Sequence, residues 1–291
     1  MKSMCNNIQS LKACALTLAV VLSLFGTPSY AQEKSNPATV ELPATLIGTW
    51  QVTEVHIDTA AAWRRYYQYN DPRLTGRLFT IGHQQLTSTT SEEELCVNPK
   101  ASIRRTTAAE LIKNSMAGRR NTVPGTPTPK DYELPLTDDA PVDVLSVNCE
   151  KNGLFGGGLG HTIEGAWIVV LNKDQLAIRW YDETILLLHR FPDNAKPKPS
   201  FDCHKAANVT EKTICGSVAL AALDQSVAQT YKFAVNVFKE AENPQALAQL
   251  KVTQKQWLTQ RNTCSTDVRC LEKSMKGRLQ DMGVVTDLRG Q

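Results

Sequence analysis

The sequence predicts an α+β chain: an N-terminal antiparallel β-barrel or meander, then a small α-helical domain stapled by disulfides. Three observations carry this. Short runs of alternating apolar residues separated by tight turns fill residues 40–191. From residue 200 onward the apolar positions recur every three or four residues instead. Four cysteines, Cys203, Cys215, Cys264 and Cys270, bracket that helical stretch. The expected organisation is a signal peptide at 1–31, a β-barrel-like domain at 40–191, a proline-rich linker at 192–199 and a helical domain at 200–283.

Lys2 and Lys12 precede a mostly apolar run, Ala13 to Phe25, which Gly26, Thr27 and Pro28 interrupt. Ser29-Tyr30-Ala31 has the small-x-small form of a cleavage site, and the run is shorter than the roughly 20 residues of a spanning helix. The expectation is cleavage after Ala31, a mature protein of 260 residues in the periplasm or secreted, and no membrane span. Cleavage removes Cys5 and Cys14 and leaves six cysteines, an even number suited to an oxidising compartment. Cys96 and Cys149 lie apart from the other four, so the simplest partition is one bridge upstream and two downstream. Cys203–Cys215 with Cys264–Cys270 closes two short loops. A crossed arrangement tying neighbouring helices together is the rival.

The strands follow in order. After a polar leader, Gln32 to Pro43, the run Leu46 to Ile57 starts a strand in which Trp50 and Val52 alternate with Thr49, Gln51 and Thr53. Val55 and Ile57 take the opposite parity, so a bulge is expected near Thr53-Glu54. Ala60 to Tyr69 reads as a helical turn and Asn70-Asp71-Pro72 as a turn. Leu74 to Ile81 and Gln84 to Thr90 form a hairpin about Gly82-His83, and Thr107 to Met116 a short helix. Arg119 to Pro135 is a loop, Val142 to Cys149 a strand and Gly153 to Gly160 a glycine-rich turn. Ala166 to Leu171, Gln175 to Tyr181 and Thr184 to Arg190 complete the meander. Pro192, Pro197 and Pro199 stiffen the linker.

In the helical domain, Leu220, Leu223, Val227, Tyr231, Ala234 and Phe238 share one face of a first helix. Asn243-Pro244 caps and opens a second, with Leu247, Leu250, Trp257 and Leu258 as its stripe. A third follows Asp267, with Val268, Leu271, Met275 and Leu279 inward and Gly283 as its stop. Asn208 with Glu211 reads as a variant capping box.

Phe201-Asp202-Cys203, Lys205-Ala206, Glu211-Lys212, Ile214-Cys215, Leu220-Ala221-Ala222-Leu223-Asp224, Trp257-Leu258, Arg261, Cys264 and Cys270-Leu271 together resemble the LprI-like lysozyme inhibitor N-terminal family. The resemblance covers the last third of the chain. It implies an exported, helical, cysteine-stapled fold and, less directly, binding to lysozyme. Gly48-x-Trp50 and the closing strand Ile185 to Arg190 resemble a calycin or lipocalin barrel, which would imply a small apolar ligand.

Composition narrows the function classes. The whole chain carries +3, the mature chain +1, residues 32–199 carry −2 and residues 200–282 carry +3, too little for nucleic acid. Asp202-Cys203-His204 brings acid, thiol and imidazole together, but a bridged cysteine is no nucleophile. His56, His83, His161, His189 and His204 are scattered without metal spacing. The glycines of 153–160 lack the Gly-Lys-Ser/Thr ending of a phosphate loop. Arg64-Arg65, Arg104-Arg105 and Arg119-Arg120 read as solvated faces. Trp257 and Arg261 share a helix face as core anchor and charged rim. No catalytic residue, cofactor or metal is therefore expected, and no partner-contacting residue stands out. The reading is a binding protein, not an enzyme, whose partner is a lysozyme-type or other cell-wall hydrolase. A lipocalin-like carrier and an immunity protein against a periplasmic wall-cutting toxin are the alternatives.

Overall fold

The computed structural model describes residues 39–61, 66–90, 95–116, 125–151, 153–156 and 166–287. The expected signal peptide, Arg64-Arg65, Glu92 to Glu94, Arg119-Arg120, His161 and the second half of the glycine-rich turn lie outside the described residues.

Among the described residues eleven strands form one antiparallel sheet: β1 (Val40–Glu41), β2 (Gly48–His56), β3 (Leu78–Ile81), β4 (Gln85–Ser88), β5 (Cys96–Val97), β6 (Lys100–Thr107), β7 (Pro141–Cys149), β8 (Gly153–Leu154), β9 (Ile168–Asn172), β10 (Gln175–Trp180) and β11 (Thr184–Arg190). Their order is β1-β6-β7-β9-β10-β11-β2-β3-β4-β5, with β8 on β7. The meander is present, and β11 pairs with β2 as a barrel's last and first strands do. The expected barrel is nevertheless not closed. Its opening lies between the edge strands β1 and β5, where no ladder forms among the described residues. The cause is local. Asn98 takes a left-handed φ of 46° and Pro99 follows it, so the chain turns before it can pair. The edge of β6 that closure would need is already taken by β1. A disulfide from Cys96 to Cys149 ties β5 to β7, and Glu150 donates its N–H to Val97 O at 2.9 Å.

The bulge falls where the parity change placed it. Glu54 faces Leu187 and Val52 faces Leu188, which leaves Thr53 as the extra residue. Two strand readings changed. The polar leader contributes β1, and β6 occupies a stretch to which the sequence assigned no strand. Most of β6 is half-exposed or exposed, with Arg104 and Arg105 in water, so it lacks the alternation that marks a half-buried strand. The described ends of the expected helical turn at Ala60 to Tyr69 are not helical.

Each face of the sheet buries its own core. Trp50, Phe79, Phe155 and Trp180 fill one side with Leu176, Ile178, Leu186 and Leu188. Phe79 meets Trp180 edge-on at 5.1 Å, and Trp50 donates its indole N–H to Leu46 O at 2.8 Å. The other face carries Val142, Val144, Trp167, Val169, Ala177 and Leu187. It is covered by α1 (Ala108–Ser115), which Thr107 caps, and by a 3-10 turn at Pro129–Tyr132. Trp167 donates its indole N–H to Ser115 Oγ at 2.9 Å, which pins α1 to the sheet.

Four helices follow among the described residues: α2 (Val209–Cys215), α3 (Val218–Glu240), α4 (Pro244–Asn262) and α5 (Val268–Asp287). Leu220, Leu223, Val227 and Ala234 of α3 meet Leu271, Met275 and Leu279 of α5 in a third core. Side chains Asn208, Ser217 and Asn243 cap α2, α3 and α4 in turn. Gly283 does not stop α5, which continues to Asp287. The glycine is there for contact: a Cβ at 283 would overlap the guanidinium of Arg73. That guanidinium is held by Asp71 at 2.7 and 2.9 Å and stacks on Tyr66 and Tyr67. Ser226 of α3 donates to Thr75 O at 3.1 Å, a second contact between helices and sheet.

Candidate functional site

The residues of the family-like pattern build the helical region from within. Asp202 caps the short turn Cys203–Lys205 by accepting from His204 N–H at 3.0 Å. Cys203 bridges to Cys215 with Cα atoms 5.8 Å apart, and Cys264 bridges to Cys270 at 5.5 Å. Asn208 Oδ1 accepts from Glu211 N–H at 2.9 Å, while Glu211 reaches back to Ala207 N–H at 2.6 Å. That is a capping box whose return bond lands one residue early.

Asp224 and Arg261 form the polar centre. Both are about 95% buried, and Arg261 Nη1 lies 3.3 Å from Asp224 Oδ1. Asp224 Oδ2 also accepts the N–H and Oγ–H of Ser200 at 2.7 and 2.6 Å. One carboxylate thus ties α3, α4 and the end of the linker together. Burial lowers the Arg261 pKa, with Asp224 and Glu211 acting in the opposite direction. Arg261 is therefore an interior ion-pair partner, not the charged rim read from its spacing. Its guanidinium sits 5.3 Å from the Trp257 ring, whose indole N–H donates to Ser274 O at 3.2 Å.

Beside this centre a groove of about 570 Å³ opens between the end of α3, α4 and the end of α5. Phe238, Leu250, Trp257 and Met282 line it, with Arg278 and Asp281 among its polar residues. Arg278 donates Nε–H to Gln254 Oε1 at 2.9 Å, and burial lowers its pKa against the pull of Asp281. The groove was missed in the sequence, although α4 carried the signal. Gln245, Gln249, Lys251, Gln254, Lys255 and Gln256 leave it polar nearly all round, with only Leu250, Trp257 and Arg261 buried. A helix with so few anchors stands off from its neighbours.

The other sequence candidates are dispersed. His56 is buried between Tyr132 O at 2.6 Å and Glu54 Oε2 at 3.0 Å, His189 lies beside Gln175, and His83 and His204 are exposed. Cys203, being bridged, offers no thiolate. Among the described residues no three His, Cys, Asp or Glu gather as metal ligands, and no helix is long and apolar enough to cross a membrane.

The stapled frame, the Asp224–Arg261 pair and the caps together occupy one continuous stretch. Residues 203–285 match the family of the lysozyme inhibitor LprI. No curated protein and no solved structure matches the chain. The LprI-like pattern lies mainly on interior positions (Ile214, Leu220, Leu223, Asp224, Trp257, Arg261 and Leu271) and on the two bridges. In this chain it therefore specifies chiefly how the helices pack.

Proposed function

We propose that this chain is exported and binds and inhibits a peptidoglycan-degrading enzyme, in the first instance a lysozyme. The observation that carries the reading is the match of residues 203–285 to an inhibitor family, over a stretch folded as a disulfide-stapled helical unit. Export accounts for the apolar run before Ala31 and for six cysteines that are all bridged. On this reading residues 1–31 are the signal peptide, and 40–191 and 200–283 are two domains joined by 192–199. The protein acts by binding, with no catalytic step of its own. A carrier role draws no support from the sheet, one side of which buries Trp50, Phe79, Phe155 and Trp180 in a single core.

Residues 32–291, oxidised and purified, are mixed with lysozyme on a suspension of cell walls. Slowed clearing that saturates with added protein is expected. Unchanged lysis at a large molar excess rules lysozyme out. Rescue of cells from a wall-cutting toxin, without effect on lysozyme, would move the target to that toxin.

A further inference from the structure

A second cleft, of about 620 Å³, lies where β2, the proline-rich segment and α3 meet. Its volume falls in the range of about 300–1,000 Å³ typical of ligand sites, yet its lining is unlike that of an apolar pocket. Gln51, Asn194, Gln225 and Gln229 present four carboxamides, and Phe191 supplies a ring. Lys196 and Lys198 are the charged residues of the lining, and no carboxylate is among them.

Two of the amides are already held. Gln51 donates to Gly76 O at 3.2 Å, and Gln225 donates to Pro199 O at 3.0 Å. Each keeps a carbonyl oxygen and a second N–H beyond that bond. Lys196 and Lys198 alternate with Pro197 and Pro199, so the segment bearing both ammonium groups is stiff. Val218, the first residue of the 23-residue helix α3, also lines the cleft, which brings the positive end of that helix to the same place. Positive charge is therefore supplied by two side chains and a helix end, with no acid in the lining to offset it.

We propose that this cleft binds an acidic carbohydrate, a hydroxyl-rich chain that carries carboxylates. Planar amides pair with neighbouring hydroxyl and acetamido groups, an aromatic ring packs on the C–H face of a sugar, and the lysines and helix end take the carboxylate. An exported protein meets such a polymer in the wall glycan. Binding there would hold the protein where wall hydrolases act, but the sugar site stands without the inhibitor reading, because it is measured on the sugar alone.

The test is titration of residues 32–291 with the disaccharide N-acetylglucosaminyl-N-acetylmuramic acid, which bears one carboxylate. N,N′-diacetylchitobiose, its uncharged counterpart, and citrate serve as controls. The expected Kd for the acidic disaccharide is about 1 mM or tighter, with each control at least about fivefold weaker. Binding should weaken as salt rises. The double substitution Lys196→Glu with Lys198→Glu should lower affinity about tenfold or more at an unchanged melting temperature, because both side chains are exposed. Gln229→Leu should weaken the disaccharide and leave citrate unaffected. No binding up to about 10 mM, or full binding by the lysine double variant, overturns the site. Citrate binding as tightly as the disaccharide overturns its assignment to sugar.

Discussion

The sheet and the helices of this chain are held together by different means. The sheet buries aromatic and aliphatic side chains on both of its faces and has one disulfide, between residues 53 apart in sequence. The helical region has one apolar core among its described residues, two disulfides spanning 12 and 6 residues, and a buried ion pair at its centre. In the chain-entropy picture the long loop restrains the unfolded state more, by about 4 kcal/mol, against about 3 and 2 kcal/mol for the short ones. So the sheet gains most from one bridge although it needs it least. The helices rely on two short bridges and on polar geometry because their core is narrow.

This contrast can be broken at its polar end first. Asp224→Ala leaves the Arg261 guanidinium buried without its carboxylate and should destabilise the helical region by about 3–5 kcal/mol in urea unfolding followed by far-ultraviolet circular dichroism. Asp224→Leu with Arg261→Met should recover most of that loss, since a packed apolar pair has no charge to bury. Equal losses in the single and double variants would show that the pair is not the helical region's weak point. In the sheet, replacing Cys96 and Cys149 by serine should cost about 4 kcal/mol by the same measurement, with the aromatic near-ultraviolet signal kept at low urea because Trp50 and Trp180 still pack. Replacing Cys264 and Cys270 should cost only about 2 kcal/mol. The order of these two bridge losses sharpens the comparison, and its reversal would mean that native-state packing, not loop closure, sets their worth. The smallest effect joins the two regions. Gly283→Ala should lower the melting temperature in the parent chain, through overlap with Arg73, and raise stability by up to about 1 kcal/mol in an Arg73→Ala background, where only helix propensity remains.

What could be read from residues alone differs along the same divide. The caps Asn208 and Asn243, the bulge at Thr53 and the strands from Ile168 to Arg190 were legible because each follows from local stereochemistry or strict alternation. Strands β1 and β6 were not, because a strand half in water shows no parity. Barrel closure was misjudged because it turns on which edge β1 occupies, a non-local choice. In the helices, Leu220, Leu223, Leu271 and Met275 gave the inward face correctly, whereas Val268 and Leu258 are exposed. Of the sites, Trp257 and Arg261 were noticed, but the spacing that put them on one face could not tell a rim from an interior ion pair. The cleft by Lys196 and Lys198 draws on three segments far apart in sequence, so no run of residues announces it.

The seat of Arg73 on Gly283 bears on how such a helical unit travels between proteins. Its bridges and its buried ion pair all lie within residues 200–287. Here, however, the final helix is keyed to its host by a missing methyl group, so the two halves have become mutually adapted. Transplanting residues 200–287 to another carrier would leave that notch empty, and giving this sheet a relative's helices would demand a glycine at the same step of the last turn.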